Sequence, residues 1–446
     1  MGKYGYRVID GDGHVAEPEE MWSRFLPPPY RDAAPRVITD NRGVKRVLID
    51  GWFWTTPPGP GVGHPGGYVG GPRVDKYAGG SDPSARLADM DTEGIDVAVL
   101  FATVAMGPSS GVLPSGDVEF EAALCRAYNS WVAEYAATDR ARLKPVAVLP
   151  TRHVVAAVAE LTRCIEDLGF VGAELPTNSA GTRYPGDPHF HPIYEAAQSL
   201  GVPIFIHPHA GGQILYVGRE RFDNFFHGHM ISFPFEQMIA AMHLVTSGVF
   251  ERFPRLRVGF LESGIGWVPC WFERMDEHYA KLARLVPDLK RPPSDWAKDP
   301  RVIFSCDPDE ETLPMALELL GDTQVMYASD YPHWDAMTPW TVKIIAERGD
   351  LTDDAKRKIL GENAARFYGI APRREAGRAL RTLGVTATAG RAPSAGASPR
   401  PACRSVPRWS MPRCRLGARS RGRPTSTVSV ASTRSHRHRC SPACRA

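Results

Sequence analysis

Tyr327-Ala-Ser-Asp330-Tyr-Pro-His333-Trp334 closes the strand-like run Gln324-Val-Met-Tyr327, and the reading of that junction decides the fold. It leaves Asp330 just beyond the C-terminal end of a short apolar strand. Pro332 excludes an immediate helix. Two distant stretches share the pattern: Val8-Ile-Asp-Gly-Asp12-Gly-His14-Val-Ala-Glu17-Pro18 and Pro203-Ile-Phe-Ile-His207-Pro-His209. Each is an apolar run ending in His or Asp. Three strands with metal-competent side chains at their C-terminal tips describe the active-site face of a β/α barrel.

Working outward, helical and apolar runs alternate from Ser84 onward. Helical periodicity over Ala85–Glu93, Val118–Ala137, Val154–Leu168 and His191–Leu200 leads to strands Ile95–Phe101, Leu143–Leu149, Val171–Leu175 and Pro203–His207. Predicted helices Pro234–Phe250, Trp267–Leu285 and Glu311–Leu320 lead in turn to Leu256–Glu262, Val302–Ser305 and Gln324–Tyr327. With a first strand over Arg7–Asp10 the count is eight. The strands lack strict alternation, as expected when both faces are buried. Gly94, Gly169, Gly201 and Gly321 stand where helices should stop. Eight such repeats specify an α/β fold, a (β/α)₈ TIM barrel, better than a doubly wound sheet.

Two segments fall outside the repeat. Residues 27–82 are rich in Pro and Gly, with a hairpin expected through Arg36–Thr39 and Val44–Ile49. An irregular insertion of that length after strand one is usually a lid or binding loop. Its Trp54 and Arg73 are candidates to cover a substrate, with plain surface packing the alternative. The domain expectation is therefore a catalytic barrel over residues 1–373 and a disordered Arg/Pro/Ser-rich tail over 374–446.

That tail distorts the charge. The chain carries a formal +3, but fifteen of its 53 Lys and Arg lie after Glu375, where there is no acidic residue. The body is left with 38 basic and 50 acidic residues, a net −12. No nucleic-acid-binding surface is expected on it. No apolar run is long enough to span a bilayer and no signal-peptide core opens the chain, so a cytoplasmic location is expected. Four Cys are scattered singly through the body and read as reduced thiols.

The barrel tips offer, in strand order, Asp12 and His14, Glu174, His207 and His209, Glu262, Cys306 and Asp307, and Asp330. Asp12 and His14 stand two apart on one strand and can reach one ion. His207 supplies imidazole and Asp330 a carboxylate. Two His and two carboxylates suit one divalent metal ion, zinc or manganese. His209 is a candidate to touch substrate or to orient His207. Glu17 starts the next helix or contacts the first-strand ligands. His227 and His229 are expected in the loop after strand five, and His333 is a candidate to contact substrate or help place Asp330.

At these residues the chain resembles the amidohydrolase-related family. The carriers are Asp12-x-His14-x-x-Glu17-Pro18, Ile206-His207-Pro208-His209 and Ser329-Asp330-Tyr331-Pro332-His333, with Gly248-Val-Phe-Glu-Arg-Phe-Pro-Arg-Leu-Arg-Val and Gly361-Glu-Asn-Ala-Ala-Arg-Phe-Tyr368. The likeness covers roughly residues 5–371. This branch includes aminocarboxymuconate-semialdehyde, resorcylate and carboxyvanillate decarboxylases. The resemblance implies His14, His207 and Asp330 as metal ligands. Asp12 departs from the family's usual first His. Glu262 stands where many members place a catalytic His, and is a candidate for acid/base work, ligation or plain hydrogen bonding. The fourth strand has no Lys to bridge two ions, which favours one.

The resemblance implies either of two reactions. One is non-oxidative decarboxylation of an aromatic or unsaturated acid, with Asp330 or Glu262 as proton donor, and it is the one favoured here. The other is hydrolysis of an amide, ester or lactone by metal-activated water, with Asp330 as base and His209 steadying the oxyanion. The partner expected is a small molecule; a homodimer is expected by analogy. A non-enzymatic reading makes the protein a binding scaffold with a basic tail.

Overall fold

Eight parallel strands, each followed by helix, run through the computed structural model, which describes residues 2–39, 41, 45–53, 77–111, 113, 115–179, 182–208, 217–218, 221 and 225–371. Everything stated below concerns these residues. The strands are Ile9–His14, Val97–Phe101, a third broken into Leu143–Pro145 and Ala147–Val148, Ala173–Pro176, Ile204–His207, Val258–Phe260, Val302–Cys306 and Val325–Tyr327. All seven junctions between consecutive strands are parallel or, at the third, bridged by its two halves. The break follows from Pro145, which has no N–H to donate. Leu143–Pro145 pairs with the second strand and Ala147–Val148 with the fourth, so the order continues across it.

The ring closes where strand eight meets strand one. Asp330 donates its N–H to the Asp12 carbonyl, and His14 donates to the Tyr331 carbonyl. Below the tips, the interior is filled by apolar rings. Phe205 stacks on Tyr368 at 4.8 Å and meets Phe101 edge-on at 5.6 Å. Full burial of a side chain such as Phe205 contributes about 2–3 kcal/mol. Gly259, on the adjacent strand, leaves room for it: a Cβ there would lie 2.5 Å from the Phe205 ring.

The helices begin and end close to the expected punctuation. Asp82 and Asp117 cap helices Pro83–Glu93 and Val118–Ala136 by accepting N–H groups of the first turn. Gly94 and Gly201 end helices in the left-handed conformation that only glycine adopts without strain. Pro18 is the N-cap of helix Glu19–Phe25. Two details differ from the sequence reading. The expected hairpin carries a third short strand, Trp52–Phe53, paired to Lys45–Ile49. The helix after strand five starts at Phe225 and runs through Pro234 to Thr246. The expected helix starts at Pro234, but the nine residues before it, Phe225–Phe233, already hold helical backbone.

Residues 54–76, 209–216 and 372–446 lie outside the described residues. The expectations for Trp54, Arg73, His209 and the tail fall there. No helix among the described residues is long and apolar enough to cross a membrane.

Candidate metal and active site

The first strand, read in the register of its neighbour, has an irregularity between Asp10 and Gly13. That bulge separates Asp10 from Asp12 in direction. Asp10 turns to Ser329 and Arg86, while Asp12 and His14 turn into the barrel mouth. His14 Nδ1 lies 2.7 Å from the Ala102 carbonyl, so this nitrogen carries the proton and Nε2 presents its lone pair to the cavity. His207 is oriented the same way, with Nδ1 2.6 Å from the Pro208 carbonyl.

The two Nε2 atoms converge on one oxygen. Asp12 Oδ1 lies 3.5 Å from His14 Nε2 and 3.6 Å from His207 Nε2. All three atoms are buried and lack a hydrogen-bond partner among the described residues. Buried polar atoms are rarely left so. A set of two imidazole nitrogens and a carboxylate oxygen, all mutually within 4.8 Å, fits a divalent cation. Asp330 Oδ1 adds a fourth donor, 3.5 Å from His14 Nε2. The donor set suits zinc or manganese equally.

A second ring of groups surrounds this one. Glu262 Oε2 lies 3.3 Å from His207 Nδ1 and its Oε1 lies 3.6 Å from His333 Nδ1. His333 Nδ1 is 2.6 Å from Asp330 Oδ1, and its Nε2 is 3.2 Å from Thr103 Oγ1. Asp330 and Glu262 both have φ of 53°, the left-handed region that non-glycine residues seldom occupy. Such strain persists where surrounding bonds over-determine the backbone, and it clusters at working sites.

The electrostatics call for positive charge. Burial, then the neighbouring His333 and His207, push the His14 pKa well below its usual value, leaving it neutral. For His207 burial also opposes charging, but Glu262 and Asp12 outweigh it and lift the pKa to about 9. In the metal-free protein a proton on His207 thus offsets part of the negative charge that a cation would offset. Burial raises the Asp330 carboxyl well above the usual range, against the pull of His333. Burial opposes charging His333, but Asp330 and Glu262 outweigh it and lift its pKa well above the usual value, and its Nδ1 lies 2.6 Å from Asp330 Oδ1.

The mouth above is a cavity of about 470 Å³ lined by Asp12, Glu262, Asp330, His229, Phe233 and Asp307 among others. His229 stacks on Phe233 at 4.2 Å and meets Trp334 edge-on at 5.9 Å. It therefore sits on the cavity wall, in the first turns of a helix and not in a loop. His227, two residues earlier, is exposed. His333 is buried beneath the wall, its ring tilted 32° against that of His14 at 4.1 Å, and touches Asp330 directly. Its place is behind the carboxylate.

Three buried residues had no assigned role in the sequence or only an ambiguous one. Glu17 accepts the N–H groups of Thr103, Val104 and Ala105, which fixes the loop carrying Ala102 and Thr103 beside His14 and His333. Glu174 lies inside the barrel, with burial pushing its pKa up to about 8 and Oε2 without a hydrogen-bond partner. Arg86 is fully buried and donates to the His14 carbonyl at 2.8 Å. The Glu17-Pro18 pairing in the sequence hinted at the first of these. Nothing local marked Arg86.

A parallel eight-stranded barrel with a His/carboxylate cage at its C-terminal mouth defines a class of metal-dependent barrel enzymes. The Amidohydrolase family model matches residues 9–370, and the chain belongs to that family. It is an enzyme of the amidohydrolase superfamily. A 2-amino-3-carboxymuconate-6-semialdehyde decarboxylase from Dictyostelium discoideum is 27% identical over 295 residues, 65% of this chain and 77% of that one. A gamma-resorcylate decarboxylase from Rhizobium radiobacter is 28% identical over 261 residues, covering 55% and 76%. The crystal structure of 5-carboxyvanillate decarboxylase from Novosphingobium aromaticivorans DSM 12444, complexed with manganese and 4-hydroxy-3-methoxy-5-nitrobenzoic acid, matches with a TM-score of 0.62. It is 20% identical and covers 83% of this chain and 97% of its own; that likeness is one of fold.

Proposed function

We propose that this enzyme is a metal-dependent carboxy-lyase that removes CO₂ from an aromatic or unsaturated carboxylic acid without a redox cofactor. The observation that carries the reading is the convergence of Asp12 Oδ1, His14 Nε2 and His207 Nε2, partnerless and buried, under a cavity of substrate size. The decarboxylases among its relatives favour this reaction over hydrolysis. Asp12, His14, His207 and Asp330 hold one ion, zinc or manganese. When bound, the ion supplies a positive centre that orients a carboxylate or adjacent hydroxyl and stabilises developing negative charge.

The chain's own groups handle the proton. Asp330, whose pKa burial raises well above the usual range and whose Oδ1 lies 2.6 Å from His333 Nδ1, donates a proton to the ring carbon that bears the carboxylate. The C–C bond then breaks, its electron pair returns to the ring and CO₂ leaves. Glu262, between His207 and His333, orients both imidazoles and is the alternative proton carrier. His229 lies against the substrate from the cavity wall. His209, Arg73 and Trp54 stay candidates for further substrate contacts. A barrel over residues 1–373 suffices for all of this.

Metal content of protein purified without added metal tests the reading, on wild type, Asp330→Asn and His207→Ala. The expected result is close to one equivalent of zinc or manganese in wild type and a marked loss in the variants. Release of CO₂ from aromatic acids then confirms the carboxy-lyase. Turnover of amides or lactones with no CO₂ released would instead establish the hydrolase.

A further inference from the structure

We propose that Arg86, together with Asp10 and Ser329, is a positioning unit that sets the spacing of His14 and Asp330 for the cation. The inference rests on the metal reading above. Arg86 stands on helix Pro83–Glu93, outside the barrel ring, yet its side chain is 1% exposed and that of Asp10 is 0% exposed. Its Nη1 donates to the His14 carbonyl at 2.8 Å, and Nη2 lies 3.7 Å from Asp10 Oδ2. The guanidinium also lies over the Tyr331 ring, 4.1 Å from its centroid. One cation thus touches the backbone of a first-strand donor and the residue after Asp330.

Asp10 completes the lacing from the other side. Its carboxylate accepts the Ser329 N–H at 2.9 Å and the Ser329 hydroxyl at 2.6 Å, and Ser329 Oγ in turn accepts the Tyr331 N–H at 3.1 Å. Asp89 on the same helix as Arg86 takes the Tyr331 hydroxyl at 2.5 Å. The residues on both sides of Asp330 are therefore pinned, which explains how Asp330 keeps φ at 53°.

The sequence carries an independent mark of this unit. A Cβ on Gly13 would lie 2.5 Å from Asp10 Oδ2 and 2.6 Å from Arg86 Nη2. The second glycine of Asp10-Gly-Asp-Gly-His14 is the space the ion pair fills. A fully buried pair is not itself a strong source of stability, because desolvation offsets most of the attraction. What it supplies here is register: a planar guanidinium whose Nη1 donates to the first strand tip while its plane lies over Tyr331 beyond the eighth.

The test measures metal affinity and stability separately on the full chain. Wild type, Arg86→Lys and Ser329→Ala are titrated with Mn²⁺ against a chelator, with circular dichroism establishing the folded fraction and urea midpoints giving stability. Outer partners of metal ligands change affinity by about 10- to 100-fold when altered. Arg86→Lys keeps the charge but loses the planar group held against the His14 carbonyl and the Tyr331 ring, and the folded protein is expected to bind Mn²⁺ at the upper end of that range more weakly. Ser329→Ala, a smaller change that should fold in any case, is expected near the lower end. Affinities within about twofold of wild type in the folded variants, with only the urea midpoints lowered, would overturn the proposal and leave the unit purely structural. A wild type that binds no metal would fail at the earlier step and remove the parent reading as well.

Discussion

Replacing Glu17 separates the cost of a lost charge from the cost of stranded backbone donors. In the native protein Oε1 accepts from Thr103, Val104 and Ala105 at 3.0–3.1 Å, and Oε2 accepts from Val104 at 3.0 Å. The whole group is buried. Glu17→Gln keeps an oxygen at the focus of three N–H groups but loses the charge assistance, roughly 1 kcal/mol for each bond, and the Oε2 contact to Val104, where an amide NH₂ cannot accept. Some of that is recovered because a neutral amide is easier to bury, so a loss of about 2 kcal/mol is expected. Glu17→Ala strands three buried N–H groups at about 1–3 kcal/mol each. Partial relaxation and water entry bring the expected loss to about 4–5 kcal/mol. Urea unfolding followed by linear extrapolation resolves that gap. The same loop presents Ala102 to His14 and Thr103 to His333, so Glu17→Ala is also expected to lower metal content. Equal losses in the two variants, or a loss under about 1 kcal/mol in Glu17→Ala, would refute the reasoning, since the donors would then have other partners.

Three further outcomes are expected. His207 has a pKa raised to about 9 in the metal-free protein and must shed that proton to bind a cation through its lone pair. Metal affinity, measured by competition titration, should therefore rise with pH up to about 9 and then level; a flat profile between pH 6 and pH 9 counts against His207 as a ligand. Asp330→Asn and Glu262→Gln should each lower turnover, Asp330→Asn by about 10²- to 10⁴-fold as for removal of a general acid. Glu262→Gln, measured at saturating metal, should cost less, and a larger loss than Asp330→Asn would move the proton-donor role to Glu262. Deleting residues 376–446 should leave the urea midpoint and turnover unchanged, whereas a large loss would show that the segment contributes to the enzyme.

The barrel was legible because its signals are local. Eight apolar runs, each too short for a helix and each preceded by helical periodicity, identify parallel strands without any knowledge of which neighbours they meet. The donors were legible for the same reason. A strand's C-terminal end is marked by where its apolar run stops, and in a β/α barrel all such ends share one face. Asp12, His14 and His207, which the structure brings within 4.8 Å of one another, and Asp330 beside His14 could thus be placed at one mouth by counting.

What only the tertiary structure decided depends on contacts between elements far apart in the chain. The bulge that turns Asp10 away from Asp12 is a matter of pairing with Val97–Phe101, and spacing alone put every second residue on one face. Arg86 lies 72 residues from His14 and looks like any surface arginine on an amphipathic helix; its burial and its bond to the His14 carbonyl appear only when that helix packs. His333 follows Asp330 closely and was a candidate for the substrate, yet its ring lies under the cavity wall, tilted against that of His14. Sequence by itself set the ring of strands and the candidate donors at their tips, because each is written in a few consecutive residues. The outer groups that orient those donors were fixed by packing, because hydrogen-bond direction is a property of three-dimensional neighbours.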